Sequence, residues 1–284
     1  MNPTAYAVRL GLRRGWTEFR QSVTSPGDIV YYLVLGGVFL GVLFFMRNST
    51  VEGTDLSLAT LSMPSMIGGL LAFQALGGAA FALAAEREDG TLLRARTVPQ
   101  GLVGYIAGRV LGIALSTALT LAIILVPSVF LFDDLVTGDL AKWLNLLWVL
   151  GLGLLATLPV GLIIGAMVKN PRGANTWGIF PTMGLMAISG IFYPITSLAG
   201  WLQGVAQVFP VYWVGLGTRA ALLPEAAVAV ELGESWRRPM TAVVLLAWAV
   251  VALLIAPKVL GRTARGETGS KVEARQQEAL KRVG

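Results

Sequence analysis

The chain has 284 residues, 55% of them hydrophobic and 13% charged, with a formal net charge of +6 and a mean hydropathy of +0.70. Soluble domains carry roughly 25% charged residues, so this density, gathered in short clusters between long apolar runs, excludes a water-covered globule and requires lipid as the covering. Cysteine and histidine are absent, which removes disulfides, thiolate chemistry and the commonest general base and metal ligand; no cofactor or metal is expected.

Residues 1–28 are polar and arginine-bearing, without the early apolar core of a cleavable signal peptide. Val8, Leu12, Trp16, Phe19 and Val23 recur at three- and four-residue steps, with Arg9, Arg13, Glu18 and Arg20 between them. That spacing predicts an amphipathic helix in the membrane interface, its arginines toward anionic lipid heads. Ser25, Pro26, Gly27 and Asp28 then turn the chain into the bilayer.

The runs 29–46, 59–85, 101–132, 143–168 and 240–256 each reach, or nearly reach, the length that crosses a bilayer. Pro239 and Pro257 are expected at the edges of the last. The stretch 173–218 holds 46 residues without a charge, broken by Pro181, Pro194 and Pro210. It reads as two spans, or as one span followed by a segment that dips in and returns. Charge chooses between them. Six crossings put 17 of the 22 Lys and Arg residues on one side, leaving Arg47, Lys142, Arg219, Arg237 and Arg238 on the other, a strong positive-inside bias. Span five is therefore expected broadly over 176–194, and 195–218 is expected as an outer interfacial or re-entrant element, with Trp201, Tyr212 and Trp213 at interfacial depth. The expected fold is all-α and polytopic: an interface helix over 1–28, a six-span domain over 29–260 and a basic tail over 261–284, both ends cytoplasmic.

The link after span two reads Glu86, Arg87, Glu88, Asp89, Gly90, Thr91, Leu92, Leu93, Arg94, Ala95, Arg96, Thr97, Val98, Pro99. Gly90 supplies a bend, and 91–95 is long enough for about one helical turn. A solvated connector has this composition, and so has a knob that docks in a partner's groove. Within the spans, four-residue spacing of small residues at Gly37 and Gly41, at Gly104, Gly108 and Gly112, and at Gly161 and Gly165 permits close helix packing. Gln74 and Asn145 are the uncharged polar residues best suited to interhelical bonds or solute contact, and Arg109 is expected to snorkel to the cytoplasmic surface. No acid sits centrally in a span, which weakens a proton- or sodium-coupled carrier. No G-x-x-x-x-G-K-[ST] loop occurs, so the chain is not expected to be an enzyme, and the tail carries no nucleic-acid signature.

The run 86–108 resembles the loop and following helix of ABC-2 type permeases, especially the daunorubicin-resistance class of drug exporters. The match lies in the acidic-basic-acidic lead-in, Gly90, Thr91 and Leu92, then Pro99, Tyr105, Gly108 and Arg109; Gly190 to Pro194, Trp201, Leu202, Phe209 and Pro210 resemble the family's segment after span five. The resemblance implies an exporter in a bacterial plasma membrane, built from two six-span permeases (this chain twice, or with a paralogue) and two cytoplasmic ABC ATPase subunits. Glu86 to Arg96, with Pro99, would be the element coupling ATPase motion to the membrane part, and the cargo a hydrophobic or amphipathic solute, drug-like or lipid-like. A secondary carrier or channel without an ATPase, and a non-transport scaffold, are the competing classes.

Overall fold

The computed structural model describes residues 2–49, 57–96, 98, 100–131, 138–168, 170–266 and 277, and the described residues are helical throughout, joined by short turns. In chain order the helices are α1 (Pro3–Ser22), α2 (Pro26–Met46), α3 (Leu58–Glu88), α4 (Thr91–Arg96), α5 (Gly101–Leu131), α6 (Leu140–Met167), α7 (171–188), α8 (Gly200–Val208), α9 (Pro210–Leu222) and α10 (Arg238–Gly266). Five of them, α2, α3, α5, α6 and α10, are long and apolar enough to cross a bilayer. The chain is a polytopic α-helical membrane protein.

Caps set where several helices begin. Asn2 Oδ1 accepts from Thr4 N at 3.0 Å ahead of Pro3, and Ser57 Oγ accepts from Thr60 N at 3.0 Å. Asp139 Oδ1 accepts from Ala141 N at 2.8 Å, and Asn170 Oδ1 from Gly173 N at 2.8 Å ahead of Pro171. Each satisfies an amide that the first turn leaves without a partner. Two helices carry a wider turn: α3 is π-helical over Phe73–Gly78, and α7 over Asn175–Ile179. The two wide turns meet, since a Cβ on Gly77 would lie 3.1 Å from Ile179 Cγ1. Wide turns of this kind often mark functional sites.

The helices run between two ends. At the proximal end α1 touches the end of α3, and the ends of α6 and α10 meet through Thr263 and Ala166. At the distal end Ser49 meets Leu58, Lys142 meets Leu223, and Arg219 meets Ser65. α7 runs antiparallel beside α3, with Ala174 against Ala80 and Ala84 near the proximal end and Met186 against Gly69 toward the distal end. It is shorter and more irregular than the five long helices.

Small residues bring the backbones together. A Cβ added to Gly161 would lie 2.3 Å from Ala75 O, and one on Gly165 2.6 Å from Ala80 O, so α6 lies directly on the α3 main chain. α1 and α5 are closer still. A Cβ on Gly11 would lie 1.9 Å from Gly104 O, one on Gly108 2.4 Å from Gly11 O, and one on Gly15 2.3 Å from Gly108 O. Gly112 continues that line near Gly15 and Glu18. Glycine here is a requirement of space.

Several expectations are corrected. The side of α1 that packs on the protein is a small-residue stripe, Ala7, Gly11 and Gly15, which the sequence reading did not single out, while Leu12 and Trp16 are exposed. Gly37 and Gly41 face open space; the helical period turns the neighbouring Gly36 onto Ile123 of α5 instead. Helix α7 begins at Pro171 and ends at Ile188, earlier than the predicted 176–194. The 195–218 stretch forms a 3-10 turn over Ile195–Ser197, then α8 and α9, with extended backbone at Phe209 before Pro210 breaking the helix. α9 continues to Leu222 and is buried along its whole length, so Tyr212 and Trp213 lie inside protein and only Trp201 is exposed. Pro257 is not an edge, because α10 continues to Gly266. Residues 267–276 and 278–284 of the predicted tail lie outside the described residues.

Gly108→Leu drives a side chain into the α1 backbone and is expected to cost about 1–3 kcal/mol or more, with earlier tryptic cleavage in α1. Gly37→Leu meets nothing and removes a helix-interior glycine, so it is expected to be neutral or stabilising by up to about 1 kcal/mol. Thermal unfolding in detergent checks both, and equal melting temperatures for the two variants would contradict the close crossing.

Candidate functional site

The link after α3 is a rigid turn. Gly90 has φ +79°, a left-handed conformation that side chains resist. Asp89 Oδ1 accepts from Thr91 N at 2.8 Å to start α4, and Arg94 Nη2 donates to Thr91 Oγ1 at 3.1 Å. Leu92 is fully buried in a cluster with Leu83, Tyr105, Leu162 and Leu260, which pins α4 to the bundle. Asp89, Arg94 and Val98 remain exposed, and Glu88 is partly buried. The Arg96 side chain, Thr97 and Pro99 lie outside the described residues.

Two residues of this link face inward. Arg87, 8% exposed, donates through Nη1 to Gly165 O at 3.1 Å, Ala166 O at 2.7 Å and Val168 O at 2.6 Å. It therefore caps the C-terminal end of α6, where the last turn leaves carbonyls without partners and the helix dipole favours a cation. Glu86 enters a mixed-charge ring. It accepts from the Tyr105 hydroxyl, and its Oε1 lies 3.6 Å from both Arg14 Nη2 and Arg109 Nη1. Glu18 closes the ring, 2.6 Å from Arg14 Nε and 3.9 Å from Arg109 Nη1. Arg109 is thus held between two carboxylates in the ring, instead of reaching out to the surface as the sequence reading expects. Burial alone would lower the Arg14 pKa, but the Glu18 hydrogen bond and the charges of Glu18 and Glu86 outweigh it and raise the pKa above its ordinary value. Arg14 keeps its charge at every physiological pH.

Beside this ring a cleft of about 300 Å³, lined by both polar and apolar groups, opens between α1, α2, α3 and α5. Glu18 and Arg109 form its shared wall with the ring, and Gln74 reaches it from the wide turn of α3. Asn145 lies elsewhere, accepting from Trp148 Nε1 at 2.7 Å within α6, so the two predicted polar residues do not meet. Of the predicted glycines, Gly104, Gly108 and Gly112 face α1, and Gly161 and Gly165 face α3. Among the described residues no group of three or more His, Cys, Asp or Glu side chains is placed to hold a metal.

Sequence reasoning missed the roles of Arg14 and Glu18 and the buried pair at the distal end. The Gly11 and Gly15 spacing, matched to that of Gly104 and Gly108, was the available signal for the first. The distal pair had none. Arg219 and Glu231 are each 5% exposed and form a two-pronged ion pair, with Arg219 Nη2 3.2 Å from Glu231 Oε2. Arg219 Nη1 also donates to Ser65 Oγ at 2.9 Å and Gly190 O at 3.0 Å, tying α9 to α3 and to the turn after α7.

Arg219→Met leaves Glu231 buried and unpaired, and is expected to cost about 3–5 kcal/mol, while the double variant Arg219→Met with Glu231→Leu regains most of that loss. Denaturant unfolding in detergent measures both. A double variant no more stable than the single one would contradict the pairing.

None of the curated proteins compared matches the chain significantly. The family model described as ABC-2 family transporter protein matches residues 46–257, a stretch running from the end of α2 to Pro257 in α10 and including the π turns, the α3–α4 link and the distal pair. The chain belongs to the ABC-2 family of transporter proteins.

Proposed function

We propose that this chain is the membrane-spanning permease subunit of an ATP-driven exporter, working with a cytoplasmic ATPase and moving a hydrophobic or amphipathic solute outward. The observation that carries the reading is the α3–α4 link. Leu92 and Arg87 lock it to the bundle, while Asp89, Arg94 and Val98 stand exposed. A cleft of about 230 Å³ adjoins it, lined by Tyr6, Leu10, Arg14, Ala95 and Val98 among others. A polar rim around a small apolar patch is the anatomy of a docking surface that engages and releases. Force applied there passes through Glu86 and Arg14 to α1, and through Arg87 to the end of α6.

In this reading the proximal end is cytoplasmic and the chain crosses six times, with α7 as the fifth crossing. Each of the five basic residues assigned to the outer side has a neighbour. Lys142 Nζ donates to Leu223 O at 2.8 Å, Arg237 Nη1 to Gln207 Oε1 at 2.7 Å, and Arg238 Nη2 to Glu225 Oε1 at 3.2 Å. Arg47 lies over the Phe44 ring at 4.0 Å, and Arg219 holds Glu231. The outer cations thus have structural work, and the larger share of the cations lies on the other side, the bias that sets orientation. The drug-exporter class, the bacterial plasma membrane, two copies of each subunit and a helix pair α8–α9 entering from the outer face complete the proposal.

Val98→Asp puts a charge in the docking patch without touching the bundle. The expected result is normal membrane abundance, loss of most co-purifying ATP hydrolysis, and little ATP-driven export from vesicles. Wild-type co-purification and export in this variant would remove the link as the docking surface.

A further inference from the structure

The cleft beside the charged ring has an unmet set of polar groups, and their kinds specify a ligand. Thr117, 1% exposed, lines it with a hydroxyl that has no hydrogen-bond partner. Its neighbours on α5 behave differently: Thr120 and Ser128 return their hydroxyls to the carbonyls of Ser116 and Ile124 at 2.9 and 2.8 Å, the usual resolution for such residues in a helix. Arg109 Nε is a second buried donor without a partner on the same wall. The Gln74 side chain makes no hydrogen bond among the described residues, and it stands on the π turn of α3. Asp28, exposed in the first turn of α2, also lines the cleft, and no side chain among the described residues pairs with it; the buried groups in want of a partner are Thr117 and Arg109 Nε. Buried polar groups left unpaired cost free energy until something satisfies them.

Two buried donors in want of an acceptor, beside an exposed carboxylate able to take a cation, describe a ligand carrying both. We infer that the cleft between α1, α2, α3 and α5 binds the zwitterionic head of an amphiphile, with its ammonium at Asp28 and an anionic oxygen at Thr117 and Arg109. Tyr31 and Tyr32 flank Asp28 along the same wall and add aromatic faces suited to an ammonium group. The size agrees. About 300 Å³ is the lower limit for small-molecule pockets and admits a head group rather than a whole drug-sized solute. The apolar remainder has a place outside: Val30, Val34 and Val38 make an exposed stripe along α2, in line with the helix that carries Asp28. Glu18 does not compete for the ammonium, because Arg14 and Arg109 already hold it. The inference deepens the proposed function by naming the chemical class of the cargo head, and it rests on that reading for the cleft facing the inner leaflet.

The full chain, purified alone in a nonionic detergent, tests it without any ATPase, so failure to bind leaves energy coupling untouched, and failure of coupling leaves binding untouched. Calorimetric titration with dihexanoyl phosphatidylethanolamine is expected to show saturable binding. Asp28→Asn and Thr117→Val are each expected to weaken it about tenfold, the worth of one lost charge-assisted or buried hydrogen bond. Dihexanoyl phosphatidylglycerol, which lacks the ammonium, is expected to bind more weakly and to be indifferent to Asp28→Asn. Free phosphoethanolamine separates the sources: failure to compete supports a lipid-like amphiphile, and competition at equal affinity overturns the requirement for an apolar tail. Melting temperatures verify that the variants fold; if either melts early, Gln74→Leu carries the same expectation. Wild-type affinity in folded variants, or equal binding of the two lipids, overturns the assignment.

Discussion

Lipid tails are as apolar as leucine, so helices in a membrane gain little from hiding apolar surface against one another and must hold by contact and polar bonds. That constraint organises this protein. The helices touch where side chains are removed, at Gly161 and Gly165 on the α3 main chain and at Gly11, Gly15, Gly104 and Gly108 between α1 and α5. α3 gains most from it. Its core-facing residues from Ala59 to Ala84 are nearly all buried, with α6, α7 and α9 packed around it. The remaining helices turn large aliphatic side chains outward, as Val30 and Val34 of α2 and Val250 and Leu254 of α10 do.

The same dry surroundings make an unpaired charge costly, and charged groups at both ends are locked together. At the distal end, Arg219 and Glu231 join α9, α3 and the turn after α7. At the proximal end, two arginines and two glutamates share one balanced ring that spans α1, α3 and α5. Next to it, Arg87 binds the last carbonyls of α6. The α3–α4 turn therefore connects to three helices through charge-assisted hydrogen bonds and ion pairs. That is stiffer attachment than a solvated connector needs. The cleft brings two buried donors without partners, Thr117 Oγ1 and Arg109 Nε, onto one wall, which is why it reads as a place for a ligand.

The long apolar helices were legible in the sequence because a bilayer demands a minimum apolar length, and hydropathy measures that length directly. α7 was placed too late because its start is set by Asn170 and Pro171, a capping signal that hydropathy ignores. α9 was read as interfacial from Tyr212 and Trp213, yet both are buried; aromatic residues suit a protein interior as well as a membrane surface, and composition does not separate the two. The docking of α1 was obscured by a stronger pattern, since Val8, Leu12, Trp16 and Phe19 make a louder stripe than Ala7, Gly11 and Gly15. Glu86 and Arg87 looked like surface charges because their partners, Arg14, Tyr105 and the α6 carbonyls, are distant in the chain.

The exposed α3–α4 turn is continuous through packed charges with the wall of the cleft: Arg109 touches the ring on one side and lines the cleft on the other. Under the proposed function, energy delivered at the turn reaches the cleft without a separate relay. The most direct test is transport by proteoliposomes holding the chain with its native ATPase partner, read as ATP-dependent movement of a fluorescent zwitterionic amphiphile across the bilayer. The account predicts movement that requires ATP and stops when the ATPase is catalytically inactivated. Movement of equal rate from the chain alone, driven by the amphiphile's own gradient, would contradict it and make the protein a carrier or channel.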